Sequence, residues 1–86
     1  MNNKYVYVVT ESTSNSISNT DINVYNSIDS AHKDYKDRYD FYIRRYGYRH
    51  IYTRQITRNN QYEISSTIIL DNGGKVTLKV VKTPVK

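Results

Sequence analysis

The pattern of apolar and polar positions divides the chain into a strand, a polar stretch, a helix and a second run of strands. Lys4–Thr10 is mostly β-branched and aromatic, and its lack of alternation predicts a strand with neighbours on both faces. Glu11–Asp21 contains a single apolar residue, Ile17, and is predicted to be a mobile surface loop. Ile22–Asn26 has a weak strand pattern, which we interpret as a short edge strand.

A long helix is predicted over Ile28–Tyr46. Ser27 is a candidate N-cap, and Gly47 stands where a left-handed C-cap belongs. The apolar residues form a stripe about 120° wide on the helical wheel. The stripe contains Ile28, Ala31, Tyr35, Tyr39, Tyr42, Ile43 and Tyr46. Phe41 falls on the polar side instead. Four interpretations are open: a partner covers it, a second copy of the chain covers it, the loop at 11–21 folds over it, or the helix ends before it.

The segment Arg49–Thr83 predicts a three-stranded antiparallel meander that ends at Pro84. A two-residue loop at Asn59-Asn60 places Arg58 opposite Gln61 in the first hairpin. This register gives each strand one face that turns toward the helix and one face that the helix does not cover.

The second hairpin, at Asp71-Asn72-Gly73-Gly74, allows two registers. A two-residue loop pairs Leu70 with Lys75. A three-residue loop, with a glycine in the left-handed position of a bulge, pairs Leu70 with Val76 and is favoured because it sets apolar residues opposite one another. The inner face is then predicted to contain Ile51, Thr53, Gln55, Tyr62, Ile64, Ser66, Ile68, Leu70, Val76, Leu78 and Val80.

These elements predict an α+β fold in which one long helix packs on one face of an antiparallel sheet of about four strands, in the order β-(β)-α-β-β-β. The chain has 86 residues and a mass of 10.2 kDa, which is too small for two independent cores, so we expect a single domain over 1–86. Whether the first strand lies at the edge or in the centre of the sheet is left open. The second face of the sheet is expected to be uncovered.

Charge is distributed unevenly along the chain. The net charge is +5, but residues 1–40 carry four basic and six acidic side chains, whereas residues 41–86 carry nine basic and two acidic ones. Phe41–Tyr62 contains no acid at all. The basic surplus is therefore expected to form a located surface that binds a polyanion or an acidic partner.

That surface is predicted from the uncovered sheet face and from the arginines around it. The predicted partner-binding residues are Phe41, Arg44, Arg45, Tyr48, Arg49, His50, Tyr52, Arg54, Arg58 and Lys79. Arginine and tyrosine dominate the energetics of protein interfaces, and the same residues can contact phosphates and stack on unpaired bases. A third interpretation is that these side chains only keep a wet sheet face soluble.

Catalytic, cofactor and metal sites are not predicted. The chain lacks cysteine, His32 and His50 lie on different elements, and no glycine-rich phosphate loop joins a strand to a helix. One enzymatic alternative is a metal-independent, toxin-like ribonuclease. Its candidate residues are His50, Tyr52, Arg54 and Lys79.

These observations predict a small, non-enzymatic, cytoplasmic binding protein without a membrane segment. Its partner is expected to be an acidic protein or nucleoprotein surface, with RNA or single-stranded DNA as the alternative and homodimerisation left open. The abundance of Asn, Ile, Lys and Tyr suggests an AT-rich genome, such as that of a low-GC bacterium or one of its phages. The expected role is therefore an inhibitor or modulator of a host nucleic-acid-handling or defence protein, including an anti-CRISPR-like role.

Overall fold

In the computed structural model, one helix packs on a five-stranded antiparallel sheet. The structure describes residues 4–13, 19–58 and 61–85. The elements are β1 (Tyr5–Thr13), β2 (Asn19–Tyr25), α1 (Ile28–Tyr46), β3 (Tyr48–Arg58), β4 (Gln61–Leu70) and β5 (Lys75–Pro84). The α+β prediction is confirmed in this coarse form, whereas the expected strand number was too low by one.

The strand order across the sheet is β2-β1-β5-β4-β3. The first strand is thus an inner strand between β2 and β5, and the two edges are β2 and β3. The predicted loop at 11–21 was too long, because Glu11–Thr13 belongs to β1 and Asn19–Asp21 belongs to β2. These polar residues pair with one another across the hairpin, and this pairing satisfies their backbone groups. The rest of that loop, residues 14–18, lies outside the described residues.

The helix begins and ends where its caps predicted. The side chain of Ser27 accepts a hydrogen bond from the Ser30 amide at 3.2 Å. Gly47 has a φ of 69°, and its N–H donates to the Ile43 carbonyl. A Cβ atom at Gly47 would lie 2.5 Å from Asp71 Oδ2, so this position combines a left-handed backbone with a close approach.

Tyrosine side chains make up much of the layer that packs around a small aliphatic core. The buried apolar residues are Val9, Ala31, Tyr35, Ile68, Leu70, Val76, Leu78 and Val80. Tyr39 and Tyr42 are half-buried against this core, as the helical stripe predicted, and Tyr62 is half-buried on the inner face of the sheet, as the strand register predicted. Tyr46 is instead 41% exposed, because it lies in the last turn of α1, where the core ends.

The predicted register of the first hairpin is confirmed, and that of the second is corrected. Arg58 stands opposite Gln61. In the second hairpin Ile68 pairs with Val76, so the three-residue loop was expected but its register is shifted by two residues. Gly73 takes the positive φ of the bulge, at 91°, and Leu70 closes the turn against Gly74. A shift of two keeps every side chain on its face, which is why the predicted inner face of β5 is buried.

The helix lies toward one side of the sheet. It packs on β1 and β5, with flanking contacts to β2 and β4. Strand β3 lies beyond this cover, so Thr53 and Gln55 are exposed although their register places them on the inner face. The expectation that α1 would cover the inner face of β3 was therefore wrong.

Candidate binding surface

Strand β3 is a long edge strand that is exposed on both faces. It has 11 residues, and only Ile51 and Ile56 among them are half-buried. Its hydrogen-bonded neighbour is β4, and no other described strand pairs with it. It contains Arg49, Arg54 and Arg58 and no acidic residue. Three of the nine basic residues of the second half thus lie on a strand that is exposed on both faces.

The outer face of β3, on the side opposite the helix, brings several of the predicted residues together. We call this surface the basic strand face; it comprises His50, Tyr52, Arg54, Arg58, Lys75 and Lys79. Arg54 and Lys79 flank Ser65 in one row across three strands, so their Cα atoms are about 10 Å apart. Glu63 on β4 is an acid on the same face, and it takes part in none of the described ion pairs.

Two aromatic rings lie side by side on the basic strand face. The centroids of His50 and Tyr52 are 4.3 Å apart, with the rings tilted by 55°. Tyr52 is 59% exposed. An exposed ring such as that of Tyr52, next to Arg54, can stack against an aromatic side chain or a base.

Three predicted residues lie elsewhere, on the outer side of the helix. Phe41, Arg44 and Arg45 are exposed near the end of α1, where they border a shallow depression together with Asp37 and Asp40. We call these three residues the helix-end cluster. Phe41 is 52% exposed and its ring makes edge contacts with Tyr42 and Tyr46, so the early helix end that could have buried it does not occur. The predicted surface is therefore split between two sides of the molecule.

Tyr48 and Arg49 lie at the junction between these two surfaces. A bulge between Tyr48 and His50 leaves Arg49 as an extra residue and places Tyr48 opposite Leu70, on the inner side. The Arg49 guanidinium donates to the Asp71 carbonyl at 3.0 Å, which ties it to the β4–β5 turn. Arg49 and Arg58 are about 30 Å apart along the strand.

Three of the six acidic residues of the first half surround one arginine at the other end of the sheet. Arg38 contacts Glu11, Asp21 and Asp34 at 2.7–2.8 Å. Tyr25 donates to Asp34 at 2.7 Å, and Tyr42 donates to Glu11. We call this arrangement the Arg38 network.

Ionisation in the Arg38 network follows from these contacts. Partial burial by itself disfavours the Asp34 carboxylate, but hydrogen bonds from Arg38, Tyr25 and Asn23 outweigh it and lower the pKa of Asp34. The pKa of Tyr42 is raised, because burial and the bond to Glu11 both oppose loss of its proton. Three carboxylates thus pair with a single guanidinium at the end of the sheet opposite β3.

A groove separates α1 from β3 on the inner face of the sheet. Its volume is about 480 Å³, within the range of ligand-binding clefts, and its walls are mainly apolar. The helix contributes Tyr35 and Tyr39, and the sheet contributes Ile64 and Thr53. At its floor the Ser66 hydroxyl bonds with Tyr35 and with Thr53, the latter at 3.2 Å.

Sequence reasoning missed this groove and Lys75. The groove arises from the sideways position of α1, for which the sequence contains no local signal. Lys75 shares the outer face with His50 through the row His50–Ile69–Lys75. The alternation along β5 could have placed Lys75 on the outer face. The predicted pairing of Leu70 with Val76 instead assigned Lys75 to the turn.

His32 forms a hydrogen bond with the Tyr62 hydroxyl at one end of the groove. It is therefore engaged at the boundary of the core. Within residues 4–13, 19–58 and 61–85, no group of three potential metal-ligating side chains is found. In the same described part of the chain, no helix is both long and apolar enough to cross a membrane.

Fold and surface together define a small α+β domain with an uncovered, basic edge strand. Comparisons with protein-family models, with curated proteins and with solved structures find no match to this chain.

Proposed function

We propose that this protein is a small, non-enzymatic binding protein whose basic strand face engages an acidic surface of a protein or nucleoprotein partner. The observation that carries the proposal is the position of β3: a sheet edge with three arginines and no acid, outside the cover of the helix. Exposed arginine and tyrosine in one patch favour an interface, and the charge steers an acidic partner toward it.

Charge segregation supports the same proposal. The Arg38 network engages three of the acidic residues, and among the described residues of β3, β4 and β5 Glu63 is the one acid on the basic strand face. The inhibitory role toward a host nucleic-acid-handling or defence protein, which the composition suggested, stays a prediction within this proposal.

The test is an affinity capture that compares two charge-matched double variants. Arg54→Glu with Lys79→Glu reverses the basic strand face, whereas Arg44→Glu with Arg45→Glu makes the same charge change at the helix-end cluster. We expect a partner retained by the wild type to be lost by the first variant and kept by the second. Loss of the partner in both variants, or in neither, would contradict the proposed surface.

Direct binding of RNA or single-stranded DNA is a second candidate, favoured by the His50–Tyr52 ring pair beside Arg54 and Lys79. It predicts binding of generic oligonucleotides that weakens steeply with salt, through release of counterions. Fluorescence anisotropy separates the two candidates, because no binding at about 50 mM salt excludes this one.

A further inference from the structure

The free edge of β3 has the features of a strand-accepting site. Alternate residues of an edge strand direct their backbone N–H and C=O groups away from the sheet, and β3 offers 11 residues of such an edge. Its exposure on both faces means that an added strand would meet no covering element among the described residues. The other edge, β2, has seven residues and lies at the Arg38 network, where Asp21 is already paired.

The charges on β3 select the occupant of this edge. A second copy of β3 would add three further arginines and no acid at this edge, and in the antiparallel register centred on Arg54 it would set Arg54 against Arg54; like charges directly opposite are destabilising. An acidic strand instead places carboxylates beside Arg54 and Arg58. Charge complementarity therefore favours an acidic segment over self-pairing.

The groove between α1 and β3 adds a second element of recognition. Side chains of an added strand alternate between the two faces of the sheet, so those on the inner face would lie next to Thr53, at the rim of the groove. Tyr39 and Ile64 offer apolar contact there, and the volume of about 480 Å³ is ample for one aromatic side chain. The same segment can thus present acids outward and an apolar residue inward.

We propose that β3 accepts an extended acidic segment of a partner protein as a sixth strand, with an apolar side chain of that segment seated in the α1–β3 groove. This inference rests on the proposed function and specifies its partner as an acidic peptide segment bound through its backbone. Backbone pairing supplies affinity in this mode, and the alternating side chains supply specificity.

The experiment uses a blocked, fluorescent eight-residue peptide in which Glu and Val alternate and one central Val is replaced by Phe. We expect saturable binding to the full chain, and a loss of about tenfold or more when Lys replaces Glu. N-methylation of one alternate set of peptide amides should abolish binding, whereas methylation of the other set should leave it unchanged. Equal tolerance of both methylated peptides would overturn strand addition.

Two protein variants test the charge and the groove separately. Arg54→Glu should weaken binding of the acidic peptide, and Arg44→Glu, the matched control, should leave that binding unchanged. Thr53→Tyr fills the rim of the groove on an exposed strand position that suits an aromatic residue. Thr53→Tyr should lower the affinity for the Phe peptide severalfold and leave the affinity for a peptide with Ala in place of Phe unchanged. An equal effect on both peptides would remove the groove from the proposal.

The remaining outcomes distinguish this inference from the proposed function. If the partner capture depends on Arg54 and Lys79 but both methylated peptides still bind, the basic strand face is supported as the binding surface and strand addition is contradicted. If only RNA or single-stranded DNA binds, the peptide occupant is wrong. If sedimentation shows a dimer that Arg54→Glu alters and the peptide does not bind, a second copy is the occupant and the proposal is likewise overturned.

Discussion

The two ends of the sheet use the same kinds of residue for opposite purposes. At the β2–β1 end, α1 covers the inner face, and Arg38 is held by three carboxylates with only 16% of its side chain exposed. At the β3 end there is no helix cover, and Arg54 and Arg58 are exposed without an ion pair among the described contacts. Arginine therefore contributes to the fold at one end and is available to a partner at the other.

The outer face of the sheet shows a similar contrast. Ile22 and Val24 on β2 are both 59% exposed, and Val24 continues a row of valines through Val8 on β1 and Val81 on β5. The same face at β3 is aromatic and basic. The difference shows that the two edges present different side-chain chemistry, even though both are sheet edges. Four predictions test this comparison, from the largest expected effect to the smallest.

The largest difference in the free energy of unfolding is expected between alanine variants of two isoleucines that face each other across β3 and β4. Ile68 is fully buried under the helix, whereas Ile51, its cross-strand partner, is half-buried at the edge. Ile68→Ala should lower the free energy of unfolding by about 3 kcal/mol through lost burial and a cavity, and Ile51→Ala by about 1 kcal/mol. Urea denaturation measures both. Equal losses would mean that β3 is as well covered as β4.

Removing the central cation should have the next largest effect. Arg38→Met leaves three carboxylates facing one another, and we expect a loss of about 2 kcal/mol of stability. Lys33→Met is the matched control, because Lys33 forms an exposed ion pair with Asp37 at 3.8 Å and should cost less than about 0.5 kcal/mol. A small effect of Arg38→Met would show that the Arg38 network does not stabilise the fold.

The same network predicts how stability depends on pH at its acid end. The pKa of Asp34 is lower in the folded chain than in the unfolded one, so its contribution is fully present above about pH 4, the unfolded value. It is lost as the pH falls through the lower folded value. Thermal unfolding should show a shallower loss of stability below pH 4 for Asp34→Asn than for the wild type. Parallel curves would contradict the lowered pKa.

The smallest effect on stability is expected at the binding surface itself. Arg54→Gln removes an exposed charge from an uncovered edge strand, so the free energy of unfolding should change by less than about 0.5 kcal/mol. Partner or peptide binding measured on the same sample should nevertheless weaken. A stability loss comparable to that of Arg38→Met would mean that Arg54 serves the fold, and the contrast between the two ends would no longer hold.

Local signals in the sequence were sufficient for the elements and for most faces. Ser27 and Gly47 placed both ends of the helix, because caps act within a few residues of themselves. The alternation along β5 placed Val76, Leu78 and Val80 on the buried side even though the register was wrong by two, since a shift of two preserves side-chain direction. The edge strand predicted at Ile22–Asn26 corresponds to β2, but the polar ends of β1 and β2 were missed, because their pairing satisfies backbone groups without an apolar pattern.

The candidate site was predicted as residues but not as a surface. His50, Tyr52, Arg54, Arg58 and Lys79 do share the outer face, as the first hairpin register implied. Phe41, Arg44 and Arg45 do not, because proximity in sequence across Gly47 was interpreted as proximity on one surface. The chain in fact passes from the helix layer to the sheet layer at that glycine.

By itself, the sequence determined the helix, the α+β class, the faces of the later strands and the concentration of positive charge after residue 40. These features follow from local backbone preference, side-chain periodicity and composition. Only the tertiary structure decided that α1 lies over β1 and β5, that Arg38 gathers Glu11, Asp21 and Asp34, and that β3 is left as a free edge beside a groove. Those features depend on which strands become neighbours, and such long-range pairing leaves no pattern within any one segment.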